Sequence, residues 1–147
     1  MDDPLGRQLA TTGRVVQERF DRHLAGHGSS LAVWMVLHNA AREEGLSQRE
    51  LARRVRVEAP TLARHLDRME HEGLVVRRRD ARDRRVVRVC LTDAGRARHE
   101  ELRAIAVDVD RQLRSLLTPE EARTLERLLQ RIRDRWHPHA GNGSEPA

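Results

Sequence analysis

The stretch from Ser47 to Gly73, "SQRELARRVRVEAPTLARHLDRMEHEG", decides the fold. It opens on a capping box, with Ser47 at the N-cap and Glu50 three residues on. The short helix that follows buries Leu51, Ala52 and Val55. A tight break falls at "RVRVE". A second helix then begins, with Pro60 near its first turn and Gly73 as its stop. In this helix Leu62, Leu66 and Met69 recur at helical spacing and face a core. Thr61, Arg64, His65 and Arg68 make an opposed polar stripe. On an isolated helix such a stripe is most often solvated surface. Preceded by a short capped helix and a tight break, it completes the pattern of a helix-turn-helix.

The residues on the C-terminal side extend that pattern. "LVVRRR" and "RVVRVCL" read as two short strands, since Val86, Val87, Val89 and Leu91 favour extended backbone. "DARD" between them has turn residues but no glycine, so a longer hairpin tip is expected. A basic hairpin directly after a recognition helix makes a winged helix-turn-helix. From Arg77 to Val89 the hairpin carries seven arginines in thirteen residues. Arg77, Arg78 and Arg79 alternate faces along the strand, so not all of them can touch one partner; one or two are phosphate-contact candidates and the rest are expected to be solvated.

Arginine abundance by itself argues for nothing, because the chain has no lysine at all. Its distribution is more telling. Ser47 to Arg98 holds 15 Arg against 8 acids, whereas the remainder holds 13 against 15. Positive charge gathered in the middle third points to a polyanionic partner. Aromatics are 2% of the 147 residues, only Phe20, Trp34 and Trp136. A binder of single-stranded nucleic acid would need stacking aromatics in the basic third, and there are none.

The flanks read as helices. Leu5, Leu9, Val16, Phe20 and Leu24 mark one face of a first helix from about Leu5 to Leu24. Gly26 and Gly28 stop it, and Ser29 or Ser30 caps a nearly apolar second helix that ends at Gly45. Thr92 caps a long helix running to about Leu117, with Leu102, Ile105, Ala106, Val109, Leu113 and Leu116 as its stripe. "TPEE" from Thr118 restarts the chain as a capping box with Pro at the first helical position. Leu125, Leu128, Leu129, Ile132 and Trp136 form the last stripe, and a disordered tail is expected beyond it. The fold class is therefore mostly α, a winged helix-turn-helix with a small β-hairpin wing, flanked by N- and C-terminal helices. The stripes at both ends are more apolar than a monomer of this size needs, and pooling them between two chains buries them.

No apolar run approaches the ~20 residues that span a bilayer. The N-terminus lacks a signal-peptide pattern, and cytoplasmic residence is expected. One cysteine allows no intrachain disulfide. No nucleophile constellation or cofactor motif is present, so neither an enzyme nor a bound cofactor is expected. His23 and His27 have a spacing that can hold a metal, but no matching carboxylate or His set accompanies them, so no metal site is assigned. His137 and His139 fall at the start of the tail and carry no assignment. Cys90, in an apolar strand, reads as a small buried hydrophobe.

From Leu46 to Gly95, "LSQRELARRV…TLARHLDRMEHEGLVVRRRDARDRRVVRVCLTDAG" resembles the MarR-type transcriptional regulators. The features that carry the resemblance are "LDRME..GLV.R", the wing "RRRDARDRR" and "LTDAG" opening the next helix. The resemblance implies a homodimer with interlocking terminal helices that binds pseudo-palindromic double-stranded DNA, usually as a repressor released by a small ligand or by oxidation. The expected division is residues 1–28 and 96–137 for dimerisation, 29–95 for DNA binding and 138–147 for the tail. A ligand-independent architectural DNA binder, or a redox- or metal-responsive regulator of the same fold, is the alternative.

On this reading Thr61, Arg64, His65 and Arg68 face the major groove, with Pro60 and Glu58 at the leading end. Arginine takes guanine O6 and N7 bidentately, and Thr meets a thymine methyl or a phosphate. Ser47 and Gln48 open the supporting helix, where phosphate is met. Either Arg84 or Arg85 enters the minor groove, as a wing arginine does in the family. Asp80 and Asp83 pair with neighbouring arginines and hold the hairpin. A family ligand pocket, suited to an aromatic or anionic effector, would be lined by Arg14 or Arg19, Trp34 and His38. The family often has glycine in the turn between the two DNA-reading helices, where this chain has Arg56. A left-handed backbone there would cost a non-Gly residue about 1 kcal/mol, which leaves room for a differently shaped turn.

Overall fold

The computed structural model describes residues 3–136. Its helices are α1 (Leu5–Ala25), α2 (Leu31–Arg42), α3 (Gln48–Val55), α4 (Ala59–His71), α5 (Asp93–Arg114) and α6 (Pro119–Trp136). Its strands are β1 (Leu46–Ser47), β2 (Val75–Arg79) and β3 (Val87–Leu91). They form one antiparallel sheet in the order β1-β3-β2, with Val75 opposite Leu91, Arg79 opposite Val87 and Leu46 opposite Val89. The described residues divide into two compact units, with the boundary between Val107 and Asp108, and α5 contributes to both.

The caps fall where side-chain chemistry demands. Ser30 accepts the Val33 N–H at 3.3 Å, Ser47 accepts that of Glu50 at 3.1 Å, and Thr92 accepts that of Gly95 at 3.0 Å. At Thr118 both halves of the box close: the Glu121 N–H reaches Thr118 Oγ1 at 3.2 Å, and the Thr118 N–H reaches Glu121 Oε2 at 2.8 Å. Those bonds hold the Glu121 carboxyl below the usual range. Only half of the box at Ser47 forms, because the Glu50 carboxylate turns outward to Arg53 and Arg54.

The core of the first unit is built from Leu24, Val36, Leu37, Leu51, Leu62, Leu66, Met69, Val75, Val89 and Leu102, all fully buried. Helix α2 is central, as its apolar run requires. The same residues that bury α4 leave its opposite face to solvent. One close approach locks α5 to the wing. A Cβ on Gly95 would lie 1.9 Å from the Leu74 carbonyl oxygen, so only glycine fits there.

Four details differ from the sequence reading. Strand β1 was not expected; its two residues pair with β3 through backbone groups, which leave no signature in side chains. Helix α5 stops at Arg114 rather than Leu117, and a tight turn closes its end through Leu116 N–H to Leu113 and Leu117 N–H to Arg114. Cys90 is half-buried on the face of β3 opposite Val89 and Leu91, outside the core. The turn after α3 is not reshaped to suit Arg56: the residue adopts the left-handed backbone itself, at φ 59° and ψ 45°. The tail expected at 138–147, with His137 and His139, lies outside the described residues.

Candidate nucleic-acid interface

Helix α4 presents the expected stripe. Arg64 and Arg68 are exposed, Thr61 and His65 half-buried, and Pro60 exposed in the first turn. Neither the Arg64 nor the Arg68 side chain has a hydrogen bond or ion pair among the described residues. Their guanidinium groups are available to an outside partner.

The wing sorts its seven arginines into braces and free cations. Arg77 donates to Asp67 at 2.5 Å and to Glu70 at 3.1 Å, and its backbone N–H reaches the same Glu70 oxygen at 3.1 Å. Burial opposes the Arg77 charge, and the two carboxylates outweigh it, raising its pKa. Arg77 therefore ties β2 to α4. Arg79 donates to the Arg84 carbonyl at 2.8 Å. Arg88 joins Asp80 at 2.9 Å and the Gly45 carbonyl at 3.2 Å, fastening the hairpin to the start of β1. Arg78, Arg82 and Arg84 have no side-chain partner among the described residues.

The two aspartates shape the tip. Asp80 accepts the N–H groups of Asp83 and Arg82 at 3.0 and 2.8 Å, as an Asx turn does. These bonds, with Arg88, lower its pKa. Asp83 takes Arg85 bidentately, Nε at 3.0 Å and Nη2 at 3.1 Å, and accepts the Arg85 backbone N–H at 3.1 Å. The Arg85 side chain bonds lower the Asp83 pKa and raise that of Arg85. Yet the Arg85 side chain is 90% exposed. It is held in position while projecting fully from the tip.

Between the wing and the first helix of the pair lies an open cleft of about 1200 Å³. Ser47, Gln48 and Arg49 line it from the start of α3, Arg56 and Glu58 from the turn, and Asp83, Arg85 and Arg88 from the wing. Ser47 and Gln48 are thus brought to the same cleft as Arg85 by β1 and the capped start of α3.

The four residues assigned to a ligand pocket separate. Trp34, 7% exposed, stacks on His38 with centroids 4.8 Å apart, and Phe20 meets it edge-on at 5.8 Å. His99 of α5, which the sequence reading did not single out, stacks on the same indole at 5.4 Å. His38 Nδ1 and His99 Nε2 lie 3.4 Å apart. Burial lowers the pKa of both. Arg14 is exposed on α1, and Arg19 lines a separate groove of about 390 Å³ with Arg22, His23 and His27. No group of three or more His, Cys, Asp or Glu among the described residues is placed to hold a metal.

A helix-turn-helix braced to a basic wing is the architecture of a winged-helix regulator. The MarR family model matches residues 30–87. The apo form of MarR from E. coli is 28% identical over 90% of this chain and 98% of its own, with a TM-score of 0.81. The transcriptional regulator PA3341 is 37% identical over 90% and 98%, with a TM-score of 0.79. The Mycobacterium tuberculosis MarR-family protein Rv2887, in complex with salicylic acid, is 28% identical over 89% and 97%, with a TM-score of 0.74. The chain belongs to the MarR family and has the fold of its transcriptional regulators. No described helix is long and apolar enough to cross a membrane.

Proposed function

We propose that this chain is a homodimeric, sequence-specific regulator that binds double-stranded DNA, with α4 in the major groove and the wing tip in the minor groove. One observation carries the reading most: Asp67, Glu70, Asp80 and Asp83 are spent bracing the wing, while the side chains of Arg64 and Arg68 on α4 and Arg84 at the tip stay unpaired among the described residues. Arg64, with Thr61, His65 and Arg68, reads base edges, and Pro60 sets the leading end. Ser47 and Gln48 meet phosphate on the cleft wall.

Of the two tip arginines, Arg85 enters the minor groove. Asp83 has already fixed its side chain, so insertion loses less conformational freedom than for an unordered arginine. Arg84, free and adjacent, meets the backbone. Asp80 and Asp83 act by holding the tip, not by touching DNA.

A second copy covers the apolar faces at the chain ends. Leu5 is 67% exposed, Leu116 77% and Trp136 85%, with Val15, Leu113, Leu125 and Ile132 also open. Such side chains gather at interfaces. A two-fold dimer implies a pseudo-palindromic site. Rv2887, seen with salicylic acid and with p-aminosalicylic acid, favours an aromatic anion as the effector that releases a repressor. Trp34 and His38 are the aromatic groups nearest to such a role here.

Titration of a bound duplex with Arg84→Ala and Arg85→Ala tests the wing. Arg85→Ala is expected to lose affinity and the preference for A/T-rich sequence under the tip. Arg84→Ala is expected to lose affinity uniformly. Unchanged binding by both variants contradicts the assignment.

A further inference from the structure

Among the described residues Arg56 is the one non-glycine with positive φ. It closes α3 as a left-handed cap, with its N–H directed at the Ala52 and Arg53 carbonyls and the Val57 N–H on the Ala52 carbonyl at 3.2 Å. Glycine would make the same turn with no Cβ in the way. No side-chain bond of Arg56 repays that strain inside the fold. The Arg56 side chain is exposed and has no hydrogen bond or ion pair among the described residues. Its neighbours differ: Arg53 is paired with Glu50, and Arg54 with Glu43 at 2.7 Å and Glu50 at 3.3 Å. Glu50, the one carboxylate of α3, and Glu43 are taken by Arg53 and Arg54, and Arg56 is left over.

Its position gives the surplus a use. Arg56 lines the cleft that Ser47, Gln48 and Arg85 also line. Backbone strain kept at an exposed residue marks function more often than packing. The left-handed backbone, fixed by the cap bonds, sets the direction of the Cβ. A guanidinium so placed suits a phosphate oxygen pair, which it grips bidentately. Glu58 on the same wall is a carboxylate that a phosphate would avoid, so an unpaired cation there matters more.

We propose that Arg56 is a DNA-backbone contact in the helix-turn-helix turn, kept at the expense of a relaxed turn and distinct from the base-reading set on α4. This rests on the DNA-binding reading above. The test uses the full chain with Arg56→Gly and Arg56→Lys, titrated by fluorescence anisotropy between ~50 and ~200 mM salt. The probes are a duplex selected from a random pool and a shuffled duplex of the same composition. Arg56→Gly is expected to resist urea at least as well as the parent chain. It should bind both duplexes roughly three- to tenfold more weakly. Its slope of log K against log[salt] should fall by about 0.9 per lost contact. Arg56→Lys should keep the slope. Parent-like affinity and slope in Arg56→Gly overturn the proposal, and so does a loss confined to the selected duplex. If the parent chain binds neither duplex, it is the DNA-binding reading that fails.

Discussion

Replacing Gly95 with alanine should be among the most damaging single-methyl additions in this chain. The new Cβ would sit 1.9 Å from the Leu74 carbonyl oxygen, where even 3.0 Å is essentially never seen. The start of α5 must retreat by roughly an ångström. That same Leu74 oxygen accepts the Thr92 N–H at 3.1 Å. Thr92 in turn caps α5 through the Gly95 N–H at 3.0 Å and donates its hydroxyl to the Gly73 carbonyl at 2.6 Å. Overpacking costs about 1–3 kcal/mol, and each loosened bond adds about 1 kcal/mol. The better helix propensity of alanine returns only about 0.5–1 kcal/mol. The net loss is about 3 kcal/mol, which lowers Tm by roughly 10 °C in a chain of this size. Urea unfolding read by circular dichroism and by fluorescence, at fixed protomer concentration, measures it. Gly73→Ala is the control: nothing lies within 4 Å of its Cβ, and only the φ of 75° penalises it. It should lose about 1 kcal/mol. A loss below ~1 kcal/mol for Gly95→Ala, or equal losses for the two, would refute steric exclusion by Leu74.

Other substitutions probe other parts. Arg64→Ala should cost roughly 1–3 kcal/mol of DNA binding and relax preference at one base pair; a uniform loss across sequences would make Arg64 a phosphate contact. Glu70→Ala removes both of its bonds to Arg77. It should lower stability by about 1 kcal/mol, read from the denaturation midpoint. The His38–His99 pair should make stability pH-dependent. Burial lowers both folded pKa values from 6.5; at His38 the charges of His99, Arg42 and Arg103 assist, and at His99 Glu100 opposes while Arg103 assists. The unfolded chain then binds more protons, so this stability is complete above about pH 6.5 and is lost as pH falls through the lowered folded values. His99→Phe should flatten the unfolding midpoint between about pH 7 and pH 5; an unaltered pH profile would assign the titration elsewhere.

The sequence carried the helices and the core because both rest on periodic side chains and local caps. Leu62, Leu66 and Met69 are all fully buried, and Ser47, Ser30, Thr92 and Thr118 all cap. What it hid depends on pairings between distant residues. Strand β1 exists through backbone bonds to β3. Arg77 looked like any wing arginine until Asp67 and Glu70 were placed beside it by α4. His99 joins Trp34 and His38 from 61 residues away from His38, with no local motif to mark it. The turn at Arg56 was legible as a departure from glycine, but not the choice between reshaping and strain, since tertiary contacts on both sides fix where α3 and α4 must lie.

The central claim is tested most directly by selecting duplexes from a random pool with the full chain. The account predicts enrichment of one inverted repeat, with half-sites about one helical turn apart, A/T-rich sequence under each wing and two protomers per duplex. Recovery of unrelated sequences with equal affinity, or no retention of duplex DNA at all, would contradict it.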